Sequence, residues 1–540
     1  MLSCYHIRKR GLGTILAVIG ALGIASPLSF AQASTAARSV QILYPFDGSL
    51  FPADIRSPEI RWADDDPEHR MWRIRLSFRK KSNDAVVLTK ENRWTPSQDA
   101  WARIKKASLE TPALLEVCGV KSADAAPEVC AHIQFMTSKD AVGVPIFYRA
   151  VPNPMPGPSG FGKIKWKLGW VSSYDPPIVV MQNQSRCFNC HAASFNGKVF
   201  GFEFNHRIFG DKPADRGGYV VFKDPGKKVV WHESDYFNWN SVLPAAERQT
   251  TSGTMSAISP DGRFIVSGFR LDDIAFFSPL KDQIGYDVTT RGSLAYYSFK
   301  DKSVRELPGA DDGRYMRIAS AWSPDGEFIF FSREPLTPQP QIKEWRRMAK
   351  DPQIQAAQSK MGWKDLDKTY PQLYDIYRIP FNNGRGGRET PVEGASRNGQ
   401  SNYFPKISPD GKWMVFTQSA SGMLMMRADS ELWIVPANGG TARKLGSNGP
   451  GANSWHSWSP NSRWLVFSSK AYDGSPRAFD GSPTDLALTH IDANGNDSPR
   501  LILTQMRDGE GLSANLPEFF NIKPGQLEEI DSGELGGYQP

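Results

Sequence analysis

Ser408-Pro409-Asp410-Gly411-Lys412-Trp413-Met414-Val415-Phe416 reads as a tight turn that feeds an apolar strand. Proline presets the first turn dihedral, Asp-Gly supplies the side-chain acceptor and the left-handed residue, and the run that follows is rich in strand-forming residues. The pattern recurs. Ser259-Pro260-Asp261-Gly262 precedes Arg263-Phe264-Ile265-Val266, and Ser323-Pro324-Asp325-Gly326 precedes Glu327-Phe328-Ile329-Phe330. Two decayed copies are Ser194-Phe195-Asn196-Gly197 before Lys198-Val199-Phe200, and Ser459-Pro460-Asn461-Ser462 before Arg463-Trp464-Leu465. Successive serines stand 65, 64, 85 and 51 residues apart, with further strand-like runs between them such as Glu431-Leu432-Trp433-Ile434-Val435. One such unit cannot bury both faces of its small sheet. Stacking the units around an axis does, which is the logic of a β-propeller.

Over roughly residues 190–540, the S-P-D-G turn followed by a strand resembles the signature of the TolB-like propellers built from PD40 (WD40-like) repeats. The resemblance implies an all-β chain and usually six blades, and it is specific for fold but weak for function. Five turns are present, so the sixth blade is expected from both ends of the region. Its strands would be Pro145-Ile146-Phe147-Tyr148 and Ile178-Val179-Val180 with Leu516-Pro517-Glu518-Phe519-Phe520. The long gap after Ser323 carries an amphipathic helical pattern at about 341–361, expected to be a surface insert.

Residues 34–140 read as short alternating strands, for example Trp72-Arg73-Ile74-Arg75-Leu76-Ser77-Phe78, and predict an Ig-like or fibronectin-like β-sandwich ahead of a propeller over 141–540. The Pro/Gly-rich stretch from Val151 to Gly162 is the expected connection between the two. Cys118 and Cys130 sit on two strand-like runs joined by a polar loop, which suits a disulfide across a hairpin; the alternative is two buried free thiols.

At the amino terminus, Arg8, Lys9 and Arg10 precede an apolar run from Leu12 to Ala25, and Ala31-Gln32-Ala33 offers a small-residue cleavage site. The run contains three glycines and is shorter than the stretch of about 20 residues that a spanning helix needs, so residues 1–33 are expected to be a cleaved signal peptide rather than an anchor. The mature chain would be periplasmic or secreted. Cleavage removes three basic groups and no acidic ones, lowering the formal charge from +7 to +4. No dense basic stripe remains to suggest nucleic acid, and no second long apolar segment suggests a transmembrane span.

The chemistry lies in Cys187-Phe188-Asn189-Cys190-His191, which spells C-x-x-C-H, the attachment signature of a c-type haem. Two thiols at that spacing can form thioethers to the two vinyl groups, and the adjacent imidazole reaches the iron. A thioredoxin-like reading would want a βαβ context and a zinc site a second ligand pair, and neither surrounds this segment. One covalent haem is therefore expected on Cys187 and Cys190, with His191 as proximal ligand at the rim of a blade.

Aligning the repeats on their serines places Ser256, Ser320, Pro405 and His456 at the position of His191. His456 is the proposed distal ligand, with Met255 and His206 as alternatives; Met181 is too near Cys187 in sequence. Phe188, Phe195, Trp166 and Trp170 are expected to shield a haem edge or simply to pack the core. Asp64-Asp65-Asp66 and Asp311-Asp312 are weak calcium candidates, and His232-Glu233 has no metal-site spacing. There is no G-x-S-x-G elbow. The leading expectation is an exported monohaem cytochrome that passes electrons to a redox partner protein. Its rivals are a haem-dependent oxidoreductase with an open iron position, and a TolB-like scaffold or redox sensor that docks proteins through its propeller or sandwich face.

Overall fold

The structure, a computed structural model, describes residues 40–127, 129–152, 162–184, 187–205, 217–244, 252–271, 273–276, 286–289, 291–336, 340, 342–343, 371–422, 427, 429–470, 484–507 and 511–531. The expected signal peptide, all of the expected helical insert except Ile342 and Lys343, and His206 lie outside the described residues. No helix among the described residues is long and apolar enough to cross a membrane.

Each repeat turn closes on its own serine. Ser259 Oγ donates to Asp261 Oδ1 at 2.7 Å and accepts from the Phe264 amide at 2.9 Å, while the Gly262 amide donates to the Ser259 carbonyl at 2.8 Å. The same three bonds form at Ser194, Ser323, Ser408 and Ser459, with Asn196 and Asn461 standing in for aspartate. The fourth turn residue is left-handed throughout, at φ +69° to +75° for Gly197, Gly262, Gly326 and Gly411 and +58° for Ser462. An ordinary residue there costs roughly 1–2 kcal/mol, which is why glycine holds four of the five positions.

These turns join the first two strands of five blades. The inner strands are Cys187–Ala193, Ser252–Ile258, Tyr315–Trp322, Ser401–Ile407 and Asn453–Trp458 for blades one to five, and each begins a four-stranded antiparallel sheet. Blade six is composite. Its inner strand is Leu512–Phe519, and its other three, Ile146–Pro152, Lys165–Gly169 and Ile178–Met181, precede blade one in the chain. The ring is thus shut by pairing the two ends of the propeller sequence, from Leu512↔Pro152 to Phe519↔Ile146. A second clasp pairs Glu529–Asp531 in parallel with Lys228–Val230. The strands on either side of the Pro/Gly-rich stretch, Ile146–Pro152 and Lys165–Gly169, pair with each other in blade six, so the stretch expected to link two domains connects two strands of one sheet. Proline and glycine mark a long connection without saying what it connects.

Residues 40 to 137 form a three-stranded sheet (Val40–Tyr44, Ile60–Asp64, Arg93–Trp94) and a five-stranded one that includes Met71–Ser77, Ala113–Val120 and Val129–Thr137. A helix, Gln98–Ala107, interrupts the expected run of strands; Ser97 caps it by accepting from the Ala100 amide, and Trp101 and Ile104 bury one face. Its apolar stripe is only two residues wide, too little to show as helical periodicity. Cys118 and Cys130 face each other across the hairpin and form a disulfide.

This region shares a core with the ring. Phe51, Trp62, Trp101 and Leu115 belong to one apolar cluster with Tyr148 of blade six and Trp464 and Val466 of blade five. Asp140 ties the seam, its carbonyl accepting from Trp464 Nε1 at 3.1 Å and its carboxylate meeting His490 Nε2 at 3.0 Å. The described residues from 40 onward accordingly belong to one compact unit.

Candidate functional site

The inner strand of every blade is broken by a bulge. Register slips between Asn189 and His191, Thr254 and Ala257, Ile318 and Ala321, Tyr403 and Lys406, Ser454 and Ser457, and Asn515 and Glu518. In blades two to six the bulge carries a left-handed residue: Met255, Ala319, Phe404, Trp455 and Leu516, at φ +47° to +57°. In blade one the extra residue is Cys190. A bulge re-aims a side chain out of the alternating pattern, here toward the axis.

The six bulge residues and the six that follow them, His191, Ser256, Ser320, Pro405, His456 and Pro517, form a collar around one axial cavity of about 90 Å³. Lys406 and Glu518 complete its wall. The structure therefore brings Cys190, His191, Met255 and His456 to one place, on three different blades. Cys187 opens the same strand as His191 and pairs with Asn205. The motif lies within the innermost strand and not at the blade's rim.

Both collar histidines share one arrangement. His456 is 2 % exposed, and its Nε2 donates to the Val415 carbonyl at 2.9 Å while Nδ1 has no partner among the described residues. His191 is 8 % exposed, makes a backbone hydrogen bond at Leu516, and also leaves Nδ1 without a partner among the described residues. Burial holds the His191 pKa down to about 3, helped by the positive charges of Arg149 and Lys406; burial likewise holds His456 at about 3, with Lys406 adding to it. Each is thus a neutral imidazole whose proton is fixed on a backbone carbonyl and whose other nitrogen presents a dehydrated lone pair. That is how a metal-ligating histidine is held, with its outer N–H tied down to set tautomer and orientation.

Phe147 packs edge-on against the His191 ring at 4.7 Å and stacks on Phe520 at 4.7 Å, so the imidazole is backed by the aromatic core between blades six and one. Arg149 donates to the Phe188 carbonyl and to Asn515 Oδ1, both at 3.4 Å. Glu203 accepts from the Ser256 amide at 2.6 Å. The buried Tyr219 hydroxyl has its pKa pushed up by burial and by the nearby Glu203, Glu518 and Cys190.

A c-type haem, which the motif implies, needs thiols for its vinyl groups and a nitrogen lone pair for its iron. The donor set fits. Cys190 is half-buried, outside any disulfide and on the collar, and His191 follows with a bare nitrogen. Cys190, Met255, Phe404 and Leu516 of the collar are part-exposed.

Other expected residues lie elsewhere. Phe188 is fully buried against Trp166 and Trp231, and Phe195 is 43 % exposed in the blade-one turn, so neither lines the cavity. Met181 is buried in the outermost strand of blade six. Asp64 accepts from His69 Nδ1 and Trp72 Nε1, both at 2.8 Å, and Asp312 pairs with Arg314 and Arg317. His232 caps a turn through its amide on Asp235. Lys406 and Glu518 were missed by the sequence reading. Counting back from each turn serine would have found the collar: the residues three and four places earlier are its members.

No protein-family model and no curated protein matches the chain. Among solved structures, a putative TolB from Agrobacterium tumefaciens is similar at 14 % identity and TM-score 0.35, over 67 % of this chain and 89 % of that one. An oligogalacturonate lyase from Vibrio parahaemolyticus is similar at 11 % identity and TM-score 0.33, over 61 % and 70 %. A structure of the nidogen/laminin complex follows at 8 % identity and TM-score 0.38, over 70 % and 98 %. The propeller assignment rests on the chain's own sheet topology.

Proposed function

We propose that this protein is an exported monohaem c-type cytochrome on a six-bladed propeller, serving electron transfer outside the cytoplasm. The finer reading of its amino-terminal region is an Ig-like or fibronectin-like sandwich that packs on the ring. The observation that carries the proposal is the pair of buried, neutral imidazoles with bare nitrogens, one of them adjoining a C-x-x-C thiol on the same collar.

Cys187 and Cys190 would hold the haem covalently, His191 would serve as proximal ligand and His456 as distal ligand. Bound there, haem supplies a one-electron couple, lower in potential with two imidazoles than with imidazole and thioether. The chain's own part is separate from that chemistry. Burial would keep each imidazole neutral, and the backbone at Leu516 and Val415 would hold its proton on the other ring nitrogen. Phe147 and Phe520 exclude water behind His191, and the closed ring fixes the spacing between blades one and five. With His191 and His456 both engaged, the group would take no substrate, and a redox protein would be the partner.

Optical and EPR spectra of protein matured in a haem-attaching host test this. The expected result is a low-spin iron that becomes high-spin, or binds added cyanide, in His456→Ala. A low-spin spectrum unchanged in His456→Ala removes that residue as a ligand and directs attention to Met255.

A further inference from the structure

The hairpin of Ala113–Val120 and Val129–Thr137 carries a second cluster of metal-binding side chains, on strands that take no part in the collar. Cys118 stands directly opposite Cys130, with their Cα atoms 4.0 Å apart, and Glu116 stands directly opposite His132. Residues two apart on a strand share a face, so these four occupy the corners of one rectangle on one side of the sheet. The residues between them, Val117 and Ala131, turn the other way and pack in the core. A Glu116 oxygen and the two sulfurs lie within 4.8 Å of one another. Cys130 and His132 are exposed, Glu116 is half-buried and Cys118 is buried. Opposed Cβ atoms on neighbouring strands stand about 4.5–5.5 Å apart, so the His132 imidazole is within reach of Glu116 and of the sulfurs beside it.

A disulfide that served only as a staple would make no demand on the pair two residues along the strands. Here that pair is a carboxylate and an imidazole, so the hairpin reads E-x-C on one strand and C-x-H on the other. Two thiolates, an imidazole and a carboxylate are a donor set that tetrahedral zinc takes. We propose that Glu116, Cys118, Cys130 and His132 form a zinc site that opens when the disulfide is reduced. The reductant is a dithiol, whose two sulfhydryls give two electrons and two protons to the bond; it closes to its own disulfide and leaves two cysteine thiols. Attack falls on the exposed Cys130 sulfur, with Cys118 as leaving group. A zinc ion then displaces both thiol protons to solvent. Arg73 and Arg75 stand opposite Cys118 and Glu116 on the neighbouring strand Met71–Ser77, with Arg75 Nε 4.0 Å from a Glu116 oxygen. Zinc held by two thiolates and a carboxylate carries one negative charge overall, which these guanidiniums balance. The hairpin would thus exchange a disulfide for a bound metal without moving its strands.

The test is zinc binding by the full chain, counted by native mass spectrometry and titrated against a chromophoric chelator, before and after reduction with a phosphine. Wild type is compared with Glu116→Gln, His132→Ala and Cys118→Ala/Cys130→Ala; the last subtracts zinc taken elsewhere, at Cys187 and Cys190 above all. The two single variants keep the disulfide, so their folding does not depend on that of the double variant. The expected result is one zinc more in reduced than in oxidised wild type, with no such gain in the double variant. Affinity for that zinc should fall about tenfold or more in Glu116→Gln and in His132→Ala, the loss that even an outer partner of a metal site causes. No gain on reduction overturns the inference. A gain that both single variants keep at full affinity also overturns it, since a bare dithiol then holds an adventitious ion only. Loss of the fold on reduction, followed by circular dichroism, overturns it as well, because the disulfide is then a staple and nothing more. None of these outcomes bears on the haem, whose attachment is read at other cysteines.

Discussion

Blade three and blade one are built on the same frame and do different work. Both have a serine-closed turn, a left-handed fourth turn residue and a bulge four residues before the serine. Blade three fills its two collar positions with Ala319 and Ser320, and blade one fills them with Cys190 and His191. The turn and bulge therefore specify where the backbone goes, while the collar positions are left free for chemistry. In a propeller the residues that hold the fold and those that act are separated by only three or four places in sequence.

The largest expected departure between the blades appears on acidification of the haem-free chain. A histidine in the unfolded chain takes its proton near pH 6.5, whereas the collar imidazoles hold out to about 3. The unfolded state binds more protons in between, so the stability contributed by burying them neutral is full above about pH 6.5 and is lost as pH falls toward 3. The slope approaches about 1.4 kcal/mol per pH unit for each histidine. Urea unfolding across that range should show it, with a flatter profile for His191→Gln and His456→Gln. A matching change at the collar of blade three, Ser320→Ala, should leave the slope as it is.

A smaller effect separates the turns. Gly411 has open space where a Cβ would stand, and Gly411→Ala should cost about 1–2 kcal/mol from its positive φ alone. At Gly262 a Cβ would lie 2.8 Å from Val199 Cγ2 of blade one, so Gly262→Ala should cost more by about 1 kcal/mol or greater. Equal losses in thermal or denaturant unfolding would show that this contact between blades relaxes freely.

The smallest effect belongs to Ser462, the residue that departs from glycine. Its left-handed strain is offset because its hydroxyl accepts from the Asp410 amide at 2.9 Å, stitching turn five to turn four. Ser462→Gly should therefore be close to neutral, within about 1 kcal/mol in the same unfolding assay. A large gain would mean that the hydroxyl contributes nothing.

The repeat turns were legible in sequence because their bonds are local: Ser408, Asp410 and Trp413 lie within six residues. The sixth blade could be assembled from its apolar strands, since a ring without free edges must be closed by the ends that remain. The collar was half legible. Alignment on the turn serines placed His456 beside His191, but Lys406 and Glu518 look like ordinary surface charges until the ring brings blades four and six together. For Phe188, a haem edge and the core were both open from sequence, and the structure puts it in the core. Its neighbour Cys190 turns to the axis only because of the bulge, and Phe188, before the bulge, turns into the core with Trp166 and Trp231. A one-residue insertion reverses the facing of a strand, and no local residue pattern announces it.

The central claim is that blade one carries a covalently held haem on its inner strand. Intact-protein mass spectrometry of chain purified from a host competent in cytochrome maturation, read beside its reduced absorption spectrum, tests it directly. The account predicts a single added haem, lost in Cys187→Ala/Cys190→Ala, with the sharp bands of a c-type cytochrome on reduction. A colourless chain of unmodified mass, in which both thiols take up an alkylating reagent, would contradict it.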